Sequence, residues 1–301
     1  MYRDGNWTIA FFNPGKNPGR PDVFGCATLG AVDAQGAHAP DVDGLFVWRR
    51  EVAGRAVCGS RAQCLAEIED AAFSPTCILA LLAEGEGAEA FLDALRARFP
   101  GVQIAGGVSA CESGCTGELS PEGAQAALLL VKEDAFHTAF ENILAPTGRW
   151  FALRTDGAPR VLADLAEDGA PVQSAEEAWR ALQRAQGLSP DNFEQMTLSD
   201  GDGLNVHLSV QEGRLCAGAD CDGRGPFQLR FSGRDAMEAG MQAFSDAPGA
   251  LIFGCAGLKS AVRRLPCVPE GTLLLFLFGE IAGGRFANLM MTGLFPDGNR
   301  T

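Results

Sequence analysis

From Ser60 onward, apolar and polar positions alternate with a readable period. Ser60 and Gln63 stand at capping-box spacing, and Cys64, Leu65, Ile68 and Ala72 recur on one helical face, which predicts a helix ending near Ser74-Pro75. CILALLAE, from Cys77, is a continuous apolar run of the kind a strand buried on both faces carries. A second helix places Phe91, Leu92, Leu95 and Phe99 on one side and stops at Pro100-Gly101, and VQIAGGVS is the next strand. Strand, helix and strand within about 30 residues form a βαβ unit with parallel strands and a right-handed crossover. AQAALLLVK and FHTAFENIL read as two further strands, joined closely enough for an antiparallel hairpin.

APTGRW, residues 145–150, is the best boundary in the chain. It divides a lobe at 1–145 from a lobe at 146–301. Residues 1–60 mix short apolar pieces with Gly- and Pro-rich punctuation, read as strands and long loops, and remain an unassigned extension. The second half opens with the strand-like WFALRT. Ser174 and Glu177 form another capping box, Ala178, Trp179, Leu182 and Ala185 a helical face, and Gly187 its stop. GLNVHLSVQEGRLC and PFQLRF alternate as half-exposed strands, and DAMEAGMQAF is a helix with Met237, Met241 and Phe244 in register. ALIFGC, a short helix from Leu258 to Arg264 and TLLLFLFGE make a second βαβ unit, with FANLMMTGLF as a closing strand. The expected fold class is α/β, mixed α+β: two lobes, each a mixed sheet with a βαβ unit and flanking helices.

Composition narrows the function classes. A formal net charge of -14 repels a phosphate backbone, which argues against nucleic acid and anionic membrane as partners. No apolar run approaches the roughly 20 residues a membrane helix needs, and MYRDGNWTIAFFNPGKN lacks a signal-peptide core, so a cytoplasmic location is expected. Ten cysteines in 301 residues fall short of a disulfide scaffold, and most read as reduced, buried small hydrophobes.

In open α/β sheets ligands settle beyond the carboxyl ends of parallel strands. There the first unit has Gly106, Gly107 and Ser109, and the second has Gly254, Cys255, Ala256, Gly257 and Gly279. Small residues let backbone approach a ligand, although each glycine alone is equally consistent with a tight turn. Glu280 follows six apolar residues and one glycine; it is a solvated loop residue, an ion-pair partner of Arg285 or Arg263, or a ligand group. The close cysteine pairs Cys58/Cys64, Cys111/Cys115 and Cys216/Cys221 lack zinc spacing, and His38, His137 and His207 add none, so neither metal nor cofactor is expected. No nucleophile elbow, Walker loop or dinucleotide fingerprint occurs, so a non-enzymatic role comes first.

ALIFGCAGLKSAV followed by TLLLFLFGEIAGGRFANLMM resembles the C-terminal half of the FIST domain, a bacterial sensory module. The resemblance rests on Cys255-Ala256-Gly257, Gly279-Glu280-Ile281 and Ala287-Asn288. WFALRTDGAPRVLADLAEDGAPVQSAEEAW is similar to the family's entry into that half, and CILALLAE through IAGGVSACESGCTG to AALLLV is similar to its N-terminal part. The likeness covers roughly residues 70–295. Ala287 stands where the family has histidine, Met290 where it commonly has threonine, and the strand TLLLFLF lacks tyrosine, which makes a less polar pocket. The resemblance implies a FIST-like sensor that binds a small ligand, with amino acids the suggested class, and signals through a separate protein partner. The ligand would lie between the lobes at Gly106, Gly107, Ser109, Cys255, Gly279, Glu280 and Asn288, with Glu280 facing an ammonium group. Two alternatives stand beside it: an enzyme or redox protein using Cys255 or Cys111, and a ligand-free interaction subunit.

Overall fold

In the computed structural model the described residues are 2–13, 23–38, 45–69, 73–83, 85, 87–110, 124–134, 136–158, 160–189 and 195–297. The chain is mixed α/β, with five helices and three sheets among these residues. The first sheet runs, edge to edge, Val23–Phe24, Tyr2–Phe12, Leu45–Gly59, Ala126–Val131, Cys77–Leu82, Gln103–Val108, Glu280–Ala282 and Arg285–Ala287. The second runs Gly36–His38, Ala31–Asp33, Leu273–Leu277, Leu251–Cys255, Met291–Pro296 and Phe136–Glu141. The third is built wholly from chain between Pro146 and Phe231.

The first two sheets pack face to face. The period of two along Cys77–Leu82 shows how. Cys77, Leu79 and Leu81 join Trp7, Phe11 and Leu129 against Phe253, Leu275 and Leu277 of the second sheet. Ile78, Ala80 and Leu82 point the other way, onto Cys64, Ile68, Phe91 and Leu95 of the helices Arg61–Glu69 and Ala88–Arg98. The outer face of the second sheet, with Ile252, Leu274 and Phe276, is covered by Met237 and Met241 of the helix Arg234–Ser245 and by Leu258 of Ala256–Ala261. The layers are therefore helix, sheet, sheet, helix. Both expected parallel pairs form: Cys77–Leu82 with Gln103–Val108, and Leu251–Cys255 with Leu273–Leu277. The third sheet covers the helix Ala175–Ala185 through Trp179 and Leu182. The capping box at Ser60 closes, the Ser60 N–H donating to Gln63 Oε1 at 2.9 Å and the Gln63 N–H to Ser60 Oγ at 3.2 Å.

Two connections differ from the reading of the sequence. Ala126–Val131 and Phe136–Glu141 do not form a hairpin. Both edges of Ala126–Val131 are taken, by Leu45–Gly59 and Cys77–Leu82, so the next strand crosses to the second sheet and pairs with Met291–Pro296. The closing segment FANLMMTGLF is likewise not one strand: Arg285–Ala287 ends the first sheet and Met291–Pro296 lies in the second. Leu289, at the corner between them, has the left-handed φ of 54° that non-glycine residues rarely adopt.

Candidate functional site

The stretch that carries Glu280 also changes sheets. Leu273–Leu277 ends the second-sheet ladder, Phe278 and Gly279 cross over, and Glu280–Ala282 pairs antiparallel with Gln103–Val108 in the first sheet. Val108 N–H donates to the Gly279 carbonyl at 2.9 Å and Phe278 N–H to the Val108 carbonyl at 3.1 Å, which pins the crossing. Gly106 and Gly107 make it possible. Gly106 has φ 148°, and a Cβ there would lie 1.8 Å from the Ala80 carbonyl oxygen. A Cβ at Gly107 would lie 2.5 Å from Leu277 Cδ1 and 2.6 Å from the Gly279 oxygen. These glycines serve the close approach of strands to one another.

Glu280 is fully buried. Its Oε2 accepts the Met290 N–H at 3.4 Å, and the Cys255 side chain, beside the same carboxyl group, favours its charged form as well. Among the described residues Oε1 has no hydrogen-bond partner. Burial raises the pKa of the carboxyl well above its ordinary value, against the smaller opposing pull of these donors. Cys255, at the end of Leu251–Cys255, is pushed up to about 12 by burial and, secondarily, by the Glu280 charge. The backbone N–H groups of Leu289, Gly257 and Leu258 near its sulfur work the other way. The left-handed turn at Leu289 is thus part of the sulfur's surroundings. That corner is held by Asn205 of the third sheet, whose Nδ2 donates to the Leu289 carbonyl at 3.2 Å.

Cys255 opens on a cavity of about 300 Å³ where the third sheet meets the other two. Gly279 and Asn288 line it with Cys255, so three of the seven residues named from the sequence share one wall. Glu280 stands behind Cys255 and is not among the lining residues. Ser109 lies buried past the end of Gln103–Val108, its N–H donating to the Leu82 carbonyl at 2.8 Å, and does not line the cavity either. The alternative thiol, Cys111, falls outside the described residues. Cys58 is disulfide-bonded, whereas Cys26, Cys64, Cys77, Cys216, Cys221, Cys255 and Cys267 are free thiols.

Arg160, His207, Gly218, Phe278 and Phe286 also line the cavity. His207 falls between the strands Asn205–Val206 and Leu208–Gln211, at a regular polar position of the alternating run LNVHLSV, so the sequence pattern did not mark it as a cavity residue. Burial lowers its pKa to about 4, so at neutral pH the ring is uncharged. Its backbone N–H donates to Asn288 Oδ1 at 3.3 Å. The Asn288 Nδ2 then faces the bare Gly279, where an added Cβ would lie 3.5 Å away. Arg160 bridges Asp220 at 2.7 Å and Glu89 at 3.2 Å, and the Asp220 N–H donates to Glu89 Oε1 at 2.6 Å. Its charge is engaged by two carboxylates at the cavity rim. Phe278, 51% exposed, presents an aromatic ring at the mouth.

No helix among the described residues is long and apolar enough to cross a membrane. No family model and no curated protein matches the chain.

Proposed function

We propose that the protein is a cytoplasmic binding protein of the FIST-like sensory kind, taking a small uncharged ligand into the cavity beside Cys255 and signalling through a separate protein partner. The carrying observation is the character of that wall: Val108, Ala88, Phe278 and Phe286 are apolar, His207 is neutral, and Asn288 offers an amide. An amino acid, the class that the resemblance implies, would need a carboxylate for its ammonium group. Glu280 stands outside the cavity lining with its carboxyl pKa raised by burial, and the Arg160 guanidinium is already matched by Glu89 and Asp220. A neutral ligand with a carbonyl for Asn288 and an apolar body for Phe278 and Phe286 meets the lining without leaving a charge unpaired.

A thermal-shift screen of amino acids against neutral amides, ketones and lactones tests this reading. A true ligand at 100 times its Kd adds about 2.7 kcal/mol of stability. Ala256→Phe, which fills the cavity from a lining position, should abolish the shift while keeping the fold. Shifts given by amino acids alone, or shifts unchanged in Ala256→Phe, would oppose it.

A further inference from the structure

We propose that the outward face of the third sheet, centred on Ala152 and Ala166, is a contact surface for a second copy of this chain. It does not depend on what the cavity binds. The strands Pro146–Thr155 and Val161–Glu167 build it, pairing antiparallel with Ala152 across from Ala166 and Arg154 across from Asp164. Phe151 and Leu165 take the inner face, in the core around Trp179, so the period of two leaves Trp150, Ala152, Arg154, Asp164 and Ala166 on the outer one. Gln173 pairs with Leu165, and one step along that register Val172 comes beside Ala166. Of the five large hydrophobic side chains exposed among the described residues, two thus border one pair of alanines: Trp150, 39% exposed, and Val172, 65% exposed. Exposed apolar groups gathered in one place, rather than scattered singly, mark a contact surface.

A second copy fits because the face is complementary to itself. Turned by half a revolution about an axis along the strands and laid face to face, the second copy sets its Ala152 over Ala166 and its Arg154 over Asp164, and the converse holds at once. The alanines form a floor low enough for the two sheets to approach. The Arg154 side chain is 72% exposed, and its Nε donates to Asp164 Oδ2 at 2.6 Å, which lays the guanidinium across the two strands. The edge of the guanidinium turned away from that bond meets Asp164 of the second copy, so four charges alternate in sign around the axis. A net charge of -14 opposes self-association in general, and only a face with its own charges matched in this way overcomes it. The rows from Trp150 to Arg154 cover about 13 Å of strand. The contact is therefore of the small, transient class, with a Kd in the micromolar range.

Sedimentation velocity of the full chain, from about 1 to about 200 μM, is the test. The weight-average sedimentation coefficient should rise with concentration from the monomer value toward that of a dimer. Arg154→Glu and Asp164→Arg each set like charges against one another across the axis and should weaken the dimer at least about tenfold. The exchange of both, Arg154→Glu with Asp164→Arg, restores the alternation and should restore the dimer. Ala152→Arg raises the floor from an exposed position and should abolish it without disturbing the core. Circular dichroism checks that each variant is folded. A monomer over the whole range would overturn the proposal. So would a dimer that persists unweakened in the single variants and in Ala152→Arg, since its contact would then lie elsewhere. A folded double variant that stays as weak as its parents would overturn the pairing of Arg154 with Asp164 across the axis.

Discussion

Glu280 stands directly across the antiparallel ladder from Gly107, and this pairing holds a carboxyl group with no exposed surface at the point where the chain passes from one sheet to the other. The glycine is the condition for the pairing, since any Cβ at Gly107 meets Leu277 and the Gly279 carbonyl. Gly107→Ala should therefore cost about 1–3 kcal/mol by overpacking. Gly106→Ala, which must also hold φ 148° and meets backbone at 1.8 Å, should cost more. Urea denaturation of both variants measures this, and equal, negligible losses would show that the crossing has room to relax.

Glu280 and His207 pull the pH dependence of stability in opposite directions. The raised carboxyl pKa means that the folded state keeps a proton the unfolded chain loses near 4.5, so stability falls as pH rises from there toward the folded value. The His207 pKa, lowered to about 4 from 6.5, gives stability that is present above 6.5 and lost as pH falls toward 4. Between about 4.5 and 6.5 the two slopes offset each other. Above 6.5 only Glu280 remains, at no more than about 1.4 kcal/mol per pH unit. Glu280→Gln should remove the decline above pH 6.5 and expose a rise with pH below it. Chemical denaturation of wild type and variant from pH 4 to 8 decides, and parallel curves would contradict the buried, protonated carboxyl.

Asn205 is fully buried and ties three parts of the chain together. Its amide donates to the Leu289 carbonyl and, at 3.1 Å, to Asn142 Oδ1, while Asn142 Nδ2 donates back to Asn205 Oδ1 at 2.5 Å. Asn205→Ala strands these partners, at a cost of about 1–3 kcal/mol. It should also free the Leu289 corner, visible as faster amide exchange at Leu289 and Met290. A stable variant with unchanged exchange would mean that the corner is held by packing alone.

Much of the sandwich is legible in the sequence because it is made of locally recognisable pieces. CILALL and LLLFL, residues 77–82 and 273–277, are apolar at every position, and both become strands buried on two faces beside a parallel neighbour. The hairpin expected after Val131 fails because strand edges are claimed by partners far away in the chain, which spacing does not reveal. The site divides the same way. Cys255 and Gly279 follow from strand ends and Asn288 from the family resemblance, and the three line one cavity. Arg160 and His207 reach that cavity only through the docking of the third sheet, and nothing local in the sequence marks a contact of that range.

Arg160 clasps the third sheet to the helix Ala88–Arg98 at the cavity rim. Both ion pairs are partly solvent-exposed, so Arg160→Ala should change stability by no more than about 1 kcal/mol. Its effect should appear instead as faster exchange of the Asp220 amide, which shares Glu89 with the guanidinium. A large stability loss would mean that the clasp is a fold determinant and not a local fastening.

The most direct test of a neutral ligand held beside Cys255 is thermal denaturation with cyclohexanone and with an amino-acid mixture, in wild type and in Ala256→Phe. The predicted result is a rise in Tm with the ketone that grows with its concentration, is absent in Ala256→Phe, and has no counterpart with amino acids. A rise with amino acids and none with the ketone would contradict it.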